Sequence, residues 1–244
     1  MKFAIQMYTL RHHINSPEDM LQILGNVKEM GFDGVEFAGF AGVPAEKLRA
    51  RLDELGLKCV GAHMGLDDFT EENLPKTLET AKILGTACIG IGGADTGTED
   101  SLSHVLDVMG RAHEIAAKEG IHVYFHNHTS EFQPPMFATK PGTIFDRLKA
   151  VCDMQVDTYW SFAAGQDNAK LLAENRDRIV LLHIKDGVGH ETMALGEGEN
   201  DLTTVVKAAK DNGFDWLILE NDDPKPTGLE DAARSMAWLN ANAR

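Results

Sequence analysis

The sequence predicts an α/β fold, a single-domain (β/α)8 TIM barrel over residues 1–244, from three observations. Strand-like and helix-like stretches alternate strictly along the chain, which argues for parallel strands. Five helix ends close on a glycine before a strand begins, in EMGFDGVEF, ELGLKCVGA, ILGTACIGI, KEGIHVYFH and DNGFDWLIL. No Pro-, Gly- or Ser-rich linker divides the repeats. An open doubly wound sheet shares the alternation but marks its first strand with a glycine-rich turn. MYTLRHH has no glycine there, and GIGGAD at 90–95 follows the fourth strand without the dinucleotide-binding spacing.

Strands are expected near residues 3–8, 34–37, 57–63, 87–91, 121–126, 153–157, 179–184 and 216–220, each a short β-rich or apolar run. Helices are expected near 17–30, 44–55, 70–84, 99–119, 141–150, 167–176, 201–212 and 228–242. The first shows the signals most fully. Ser16 can cap it, Pro17 sits at its first position, Glu18 and Asp19 fill its first turn, and Leu21, Leu24 and Val27 recur at helical spacing. Its closing Gly31, like Gly56, Gly85, Gly120 and Gly213, can take the left-handed conformation that ends a helix.

Charge narrows the function classes. Lys plus Arg number 23 against 38 Asp plus Glu, and a formal charge of -15 repels a phosphate backbone, so no nucleic-acid partner is expected. Cys59, Cys88 and Cys152 are odd in number and lie in apolar stretches, which suits thiols in a reducing compartment. The opening MKFAIQMYTLRHH holds too short an apolar run for a signal peptide. No stretch approaches the ~18 apolar residues of a membrane span. A cytoplasmic protein without a membrane partner is expected, and a homo-oligomer is compatible with the sequence.

Active-site groups of such a barrel gather at the C-terminal ends of its strands, where alternate side chains face inward. Strand seven places Ile179, Leu181, His183 and Lys185 on one side, and strand eight places Trp216, Ile218 and Glu220 together. Strand three aligns Leu57, Cys59, Gly61 and His63; strand six sets Gln155 beside Asp157; strand two ends at Glu36. In strand five, within YFHNHTSEF, Tyr124, His126 and His128 face inward while Val123 and Phe125 pack on helices; Gln6 and Tyr8 face inward on strand one. One polar residue at a strand end is ordinarily a hydrogen-bonded rim residue. Ionisable groups from at least five strands converging on one rim are better explained by a shared metal or substrate site. Glu131, Asp157, His183 and Glu220 come from consecutive units and form a hard, oxygen-rich set suited to Mn²⁺, Mg²⁺, Co²⁺ or Zn²⁺.

On IQMYTLR, GFDGVEFAGF, VGAHM, FHNHTSEF, VDTYW with AGQD, LLHIKDG, ALGEGEND and DWLILEND, the sequence resembles the xylose isomerase-like TIM-barrel superfamily, specifically its sugar phosphate isomerase/epimerase group. The resemblance runs essentially end to end. It implies a divalent metal, Mn²⁺ first among candidates, held by Glu131, Asp157, His183 and Glu220. It also implies an isomerase or epimerase that removes a proton beside the carbonyl of a keto-sugar or sugar derivative, through a metal-stabilised enediolate, with Glu131 and Glu220 on opposite faces. The pattern departs in one place: ketose 3-epimerases commonly carry Glu-x-x-Asn-Arg in strand five, where this chain has His126-Asn127-His128.

His126 or His128 is therefore an alternative acid or base, since an unperturbed imidazole titrates near ~6.5; otherwise both orient Glu131. His63 and Lys185 are expected to bind substrate hydroxyls. Glu36 binds a hydroxyl or pairs with Lys185, and Trp160 offers an aromatic wall to a sugar. A small-molecule carbohydrate is the expected partner. A lyase or dehydratase of a 3-keto-glycoside or keto-inositol is the alternative chemistry, and a sugar-binding barrel or subunit of a larger complex the non-enzymatic one. GHETMALGEGEND at 189–201 is either a loop closing over substrate or an exposed turn.

Overall fold

The computed structural model describes residues 1–137 and 142–244. Eight parallel strands, β1 (Lys2–Gln6), β2 (Gly34–Ala38), β3 (Lys58–His63), β4 (Cys88–Ile91), β5 (His122–His126), β6 (Asp153–Asp157), β7 (Ile179–Ile184) and β10 (Trp216–Leu219), close a barrel. Each strand neighbours the next in sequence, and β10 returns to β1. A two-stranded antiparallel hairpin, β8 (Asp186–Val188) and β9 (Glu191–Met193), stands apart from the barrel after β7.

Helices α1 (Pro17–Glu29), α2 (Ala45–Leu55), α3 (Leu74–Leu84), α4 (Glu99–Ala117), α5 (Ile144–Val151), α8 (Leu202–Asp211) and α9 (Gly228–Asn242) match seven of the expected segments. The unit after β6 carries two short helices, α6 (Thr158–Ala163) and α7 (Asn168–Glu174), of which only the second was expected. Residue 141, where the α5 segment was expected to begin, lies outside the described residues. The five closing glycines all have positive φ, between 64° and 96°. Ser16 caps α1 by accepting from the Asp19 N–H. No described helix is long and apolar enough to cross a membrane.

Outward side chains of the strands, among them Phe37, Val123, Phe125, Val156 and Ile184, pack with the helices in one large core. A smaller cluster of Ala4, Val60, Tyr124, Leu181 and Ile218 fills the barrel itself. Two bulges break the strict alternation expected of β3 and β7. Pairing steps from Val35↔Cys59 to Glu36↔Gly61, and from Met154↔Ile179 to Gln155↔Leu181. An extra residue in one strand reverses the side on which the residues beyond it fall. Leu57, Cys59 and Ile179, expected inside, therefore pack outward, while Val60 and Val180 join the inner cluster. Beyond the bulges the inward register holds for Gly61, His63, Leu181 and His183. Strand one is shorter than expected: after Gln6 the chain enters a 3-10 helix, Met7–His13, with the Gln6 side chain accepting from the Tyr8 N–H.

The floor of the polar end is Tyr124, fully buried and accommodated by a glycine across the ring. A Cβ on Gly90 would lie 2.2 Å from the Tyr124 carbonyl oxygen and 2.5 Å from its ring. Gly90→Ala is therefore expected to destabilise the protein by about 1–3 kcal/mol through overpacking, read from urea unfolding. A neutral result would show that Tyr124 can move.

Candidate active site

Above Tyr124 the barrel interior becomes a continuous chain of charged and polar groups. The Tyr124 hydroxyl donates to Glu36 Oε1 at 2.5 Å, and Gln155 Nε2 donates to the same oxygen at 2.7 Å. Gln155 has its amide oxygen 2.6 Å from His63 Nε2, which fixes that nitrogen as the donor. His63 Nδ1 lies 3.4 Å from Gln6 Nε2. His183 bridges two carboxylates, with Nε2 at 2.5 Å from Glu36 Oε2 and Nδ1 at 2.9 Å from Glu220 Oε2.

Burial pushes the Glu36 carboxyl up, but the charges of His63 and His183 outweigh it and hold Glu36 at about 2. Burial likewise pushes His183 down, and Glu220 with Glu36 overcomes it and raises the imidazole to about 10. His183 is thus an imidazolium donating both N–H groups.

Lys185 is fully buried. Its Nζ lies 2.7 Å from Glu220 Oε2, 2.7 Å from Asp222 Oδ2 and 2.9 Å from Asp157 Oδ2. Burial would lower its pKa, and those three carboxylates reverse the direction. Lys185 in turn holds Asp157 and Glu220 well below the usual carboxylate range against their own burial.

Asp157 has two tasks. Its Oδ1 accepts from the Tyr159 and Trp160 N–H groups, both at 2.9 Å, and so caps α6. The Lys185 approach to Oδ2 is off the hydrogen-bonding line, which leaves that buried atom without a hydrogen-bond partner. Oδ2 faces His126 Nε2 at 3.5 Å, itself buried and unpartnered. Desolvation holds His126 at about 4, so its ring is neutral and carries a free lone pair. One donor atom each from His126, Asp157, His183 and Glu220 lies within 4.8 Å of the others.

This set corrects the expected one. Asp157, His183 and Glu220 come together as the sequence suggests, but the fourth member is His126 rather than Glu131. The Glu131 carboxylate, on the 3-10 turn Ser130–Phe132, accepts from the His128 N–H at 2.6 Å and from Ser130 Oγ at 3.1 Å. Each of its two oxygens accepts a hydrogen bond from its own loop. Asn127 ties the same loop to β6, its side-chain oxygen accepting from the Asp157 N–H at 3.1 Å.

Two expected substrate contacts are also corrected. Glu36 and Lys185 are wholly buried, with their polar atoms taken by the partners above, so neither reaches a substrate. Glu36 fixes His183, and Lys185 joins three carboxylates. Trp160 does not line the cavity; its ring stands 6.2 Å from His128 and 5.3 Å from Lys185 Nζ, backing both.

The cavity over the cluster has a volume of about 240 Å³. His63, His126, His128 and Glu220 line it with Ala38 and Gly92, joined by Tyr8 and Asp222. Asp222, whose carboxyl burial pushes up, was not singled out from the sequence. Continuing the strand period past Glu220 would have found it, two residues on and on the same side. The 189–201 loop is pinned: Asp186 accepts from the N–H groups of Gly187, Gly196, Gly198 and Asn200.

The fit to a divalent ion rests on His126 and Asp157. His126 Nε2 is buried with no hydrogen-bond partner, and Asp157 Oδ2 beside it has the Lys185 ion pair but no hydrogen bond, so a bound cation would satisfy both. Four carboxylates, Glu36, Asp157, Glu220 and Asp222, also outnumber the Lys185 and His183 charges. The cluster could hold a cation through His126, Asp157, His183 and Glu220.

A family model described as xylose isomerase-like TIM barrel matches residues 24–242. A 3-dehydro-D-guloside 4-epimerase of Escherichia coli (strain K12) is 23% identical over 256 residues, covering 91% of this chain and 95% of that protein. Among solved structures, a sugar phosphate isomerase/epimerase from Parabacteroides distasonis superposes with a TM-score of 0.76 at 24% identity, covering 98% of this chain and 93% of the other. A probable 3-DHS dehydratase from Bacillus anthracis gives 0.75 at 16% identity, covering 100% of both chains.

Removing the ammonium should expose how much it carries. Lys185→Met leaves three carboxylates without their common counter-charge, and the metal-free protein is expected to lose about 3–5 kcal/mol in urea unfolding with chelator present. A loss under ~1 kcal/mol would mean that the carboxylates simply take up protons instead.

Proposed function

The chain belongs to the xylose isomerase-like TIM-barrel family, and from that premise we propose that it is a divalent-metal-dependent isomerase or epimerase of a small, uncharged keto-sugar or sugar derivative. The observation that carries the reading is the convergence of His126, Asp157, His183 and Glu220 at the floor of one cavity. These four residues would hold the ion, for which His183, protonated between Glu36 and Glu220, would release one N–H proton. Two imidazoles and two carboxylates form a less oxygen-rich set than the sequence suggested, which favours Mn²⁺, Co²⁺ or Zn²⁺ over Mg²⁺. When bound, the ion would supply Lewis-acid stabilisation of negative charge developing on substrate oxygens.

The chain's own residues would do the rest. His128 stands at the cavity edge, partly exposed and outside the four-residue set, so it is the imidazole free to exchange a proton with substrate. Glu220 lines the same cavity from the end of β10, with three strand-to-strand steps separating β10 from β5 around the barrel. His183 and Lys185 both engage its Oε2, and no described residue is hydrogen-bonded to Oε1. Groups on two sides of a substrate suit inversion at one carbon. The E. coli relative is named as a 4-epimerase of a 3-dehydro sugar, which puts the inverted carbon beside the carbonyl. His63 would bind a hydroxyl.

Electrostatics select against a phosphorylated substrate. Glu220 and Asp222 line the cavity, no Lys or Arg does, and the one nearby ammonium is buried among carboxylates. Apart from the ion site, the cavity lining offers a phosphate dianion no side-chain cation to pair with.

Two outcomes are expected. In D₂O with Mn²⁺, neutral keto-sugars should take up deuterium beside the carbonyl, and His128→Ala should slow this by about 10²–10⁴-fold, the usual worth of a general acid or base. Failure of every neutral keto-sugar and keto-glycoside to exchange would reject the reading, and loss of water or aglycone in place of inversion would make the protein a lyase. In metal analysis, His126→Ala and Asp157→Ala should lose the ion while Glu131→Gln keeps it; the reverse pattern would restore Glu131 to the ligand set.

A further inference from the structure

Beside the cavity lies a second cleft of about 170 Å³, lined by Met7, Arg11, Ile14, Met20 and Ala41. It shares two wall residues, Tyr8 and Ala38, with the cavity over the cluster. The shared wall is low: Tyr8 is 43% exposed and Ala38 carries only a methyl group. A ligand seated over Glu220 can therefore extend into this annex without leaving the protein surface.

The lining states what the annex would take. Met7 and Met20 are buried thioethers at its base, and Ile14 and Ala41 are apolar; thioethers adapt to aromatic partners. Arg11 is the one cation, and two of its five N–H donors go to backbone carbonyls. Nη1 donates to the Tyr8 carbonyl at 2.9 Å and Nη2 to the Asp222 carbonyl at 2.5 Å. Its guanidinium lies 4.0 Å from the Tyr8 ring centroid, so the pair presents a flat stacking surface beside the apolar lining.

Ala41 adds an independent sign. It is the one non-glycine described with positive φ, at 49°, in a turn where Gly39 and Gly42 are also positive. A β-carbon there costs stability relative to glycine. The methyl group it puts on the annex wall is something glycine could not supply.

We propose that this annex is a subsite for a flat, apolar aglycone, so that the substrate is a small keto-glycoside rather than a free or phosphorylated keto-sugar. The sugar ring sits over the His126, Asp157, His183 and Glu220 cluster and the aglycone lies past Tyr8 against Met20 and Ile14. The substrate assignment rests on the proton-transfer reading of the neighbouring cavity; occupancy of the annex does not.

Two measurements separate them. In solvent exchange, the phenyl glycoside of 3-keto-D-glucose should show a KM about tenfold below that of the methyl glycoside, the scale of selectivity an apolar pocket provides. Ile14→Trp, which fills the annex outside the proton-transfer residues, should erase that advantage and leave the methyl glycoside's kcat within about twofold. Independently, titrating unreactive phenyl β-D-glucoside into protein labelled with methyl-¹³C methionine should shift the Met7 and Met20 resonances, and not in Ile14→Trp. Exchange of both glycosides with equal KM, or Met7 and Met20 unmoved at saturating phenyl glucoside, would overturn the subsite. Shifts without exchange of any substrate would keep the subsite and reject the catalytic reading instead.

Discussion

A fully buried ammonium facing three carboxylates is the constraint around which the polar half of this barrel is arranged. Lys185 cannot be neutralised cheaply, because Asp157, Glu220 and Asp222 all stabilise its charge, and they in turn cannot separate without leaving a charge unpaired. The second cation, His183, extends the same logic toward the floor through Glu36 and Tyr124. Lys185, His183, Glu36 and Glu220 are each held from at least two sides. The network fixes Asp157, His183 and Glu220 relative to one another at the polar end of the barrel.

The strand and helix order was legible because it depends on local signals that the sequence carries openly: apolar runs of strand length, capping residues such as Ser16, and glycines such as Gly31 and Gly213 at helix ends. The inward side of each strand was legible only where the alternation is unbroken, as at Tyr124, Gln155 and Ile218. At β3 and β7 a bulge inserts one residue, and nothing in KCVGAH or IVLLHI announces it. The bulge is imposed by register with the neighbouring strand, Glu36 meeting Gly61 and Gln155 meeting Leu181. Because each bulge lies before the polar end, His63 and His183 still arrive inside, and the reading of the rim survives an error lower in the barrel.

The same distinction explains which site residues were misplaced. Glu36 and Lys185 were rightly read as facing the centre, but facing inward says nothing of depth. Depth is set by what lies above a side chain, and here other members of the network cover both. Tyr8 shows the converse case: the strand ends at Gln6, so the ring that alternation would have buried instead stands at the cavity mouth, between the polar cavity and the apolar annex.

YFHNHTSEF holds the most consequential difference, and its residues divide the labour closely. His126 is the last residue of β5 and turns inward at the level of Asp157, and Asn127 fixes that level by bonding the Asp157 backbone. His128 is then the first residue free of the sheet. Without a partner for its N–H the loop could swing it away from the cavity; the Glu131 carboxylate, brought back by the 3-10 turn, supplies that partner. A glutamate three residues beyond a histidine is the spacing of a local capping contact, and Glu131 makes that contact to the His128 N–H. With the histidine at the strand end, the Glu131 carboxylate is engaged in the loop, where it holds the backbone of His128, the residue to which the proposed function assigns proton transfer.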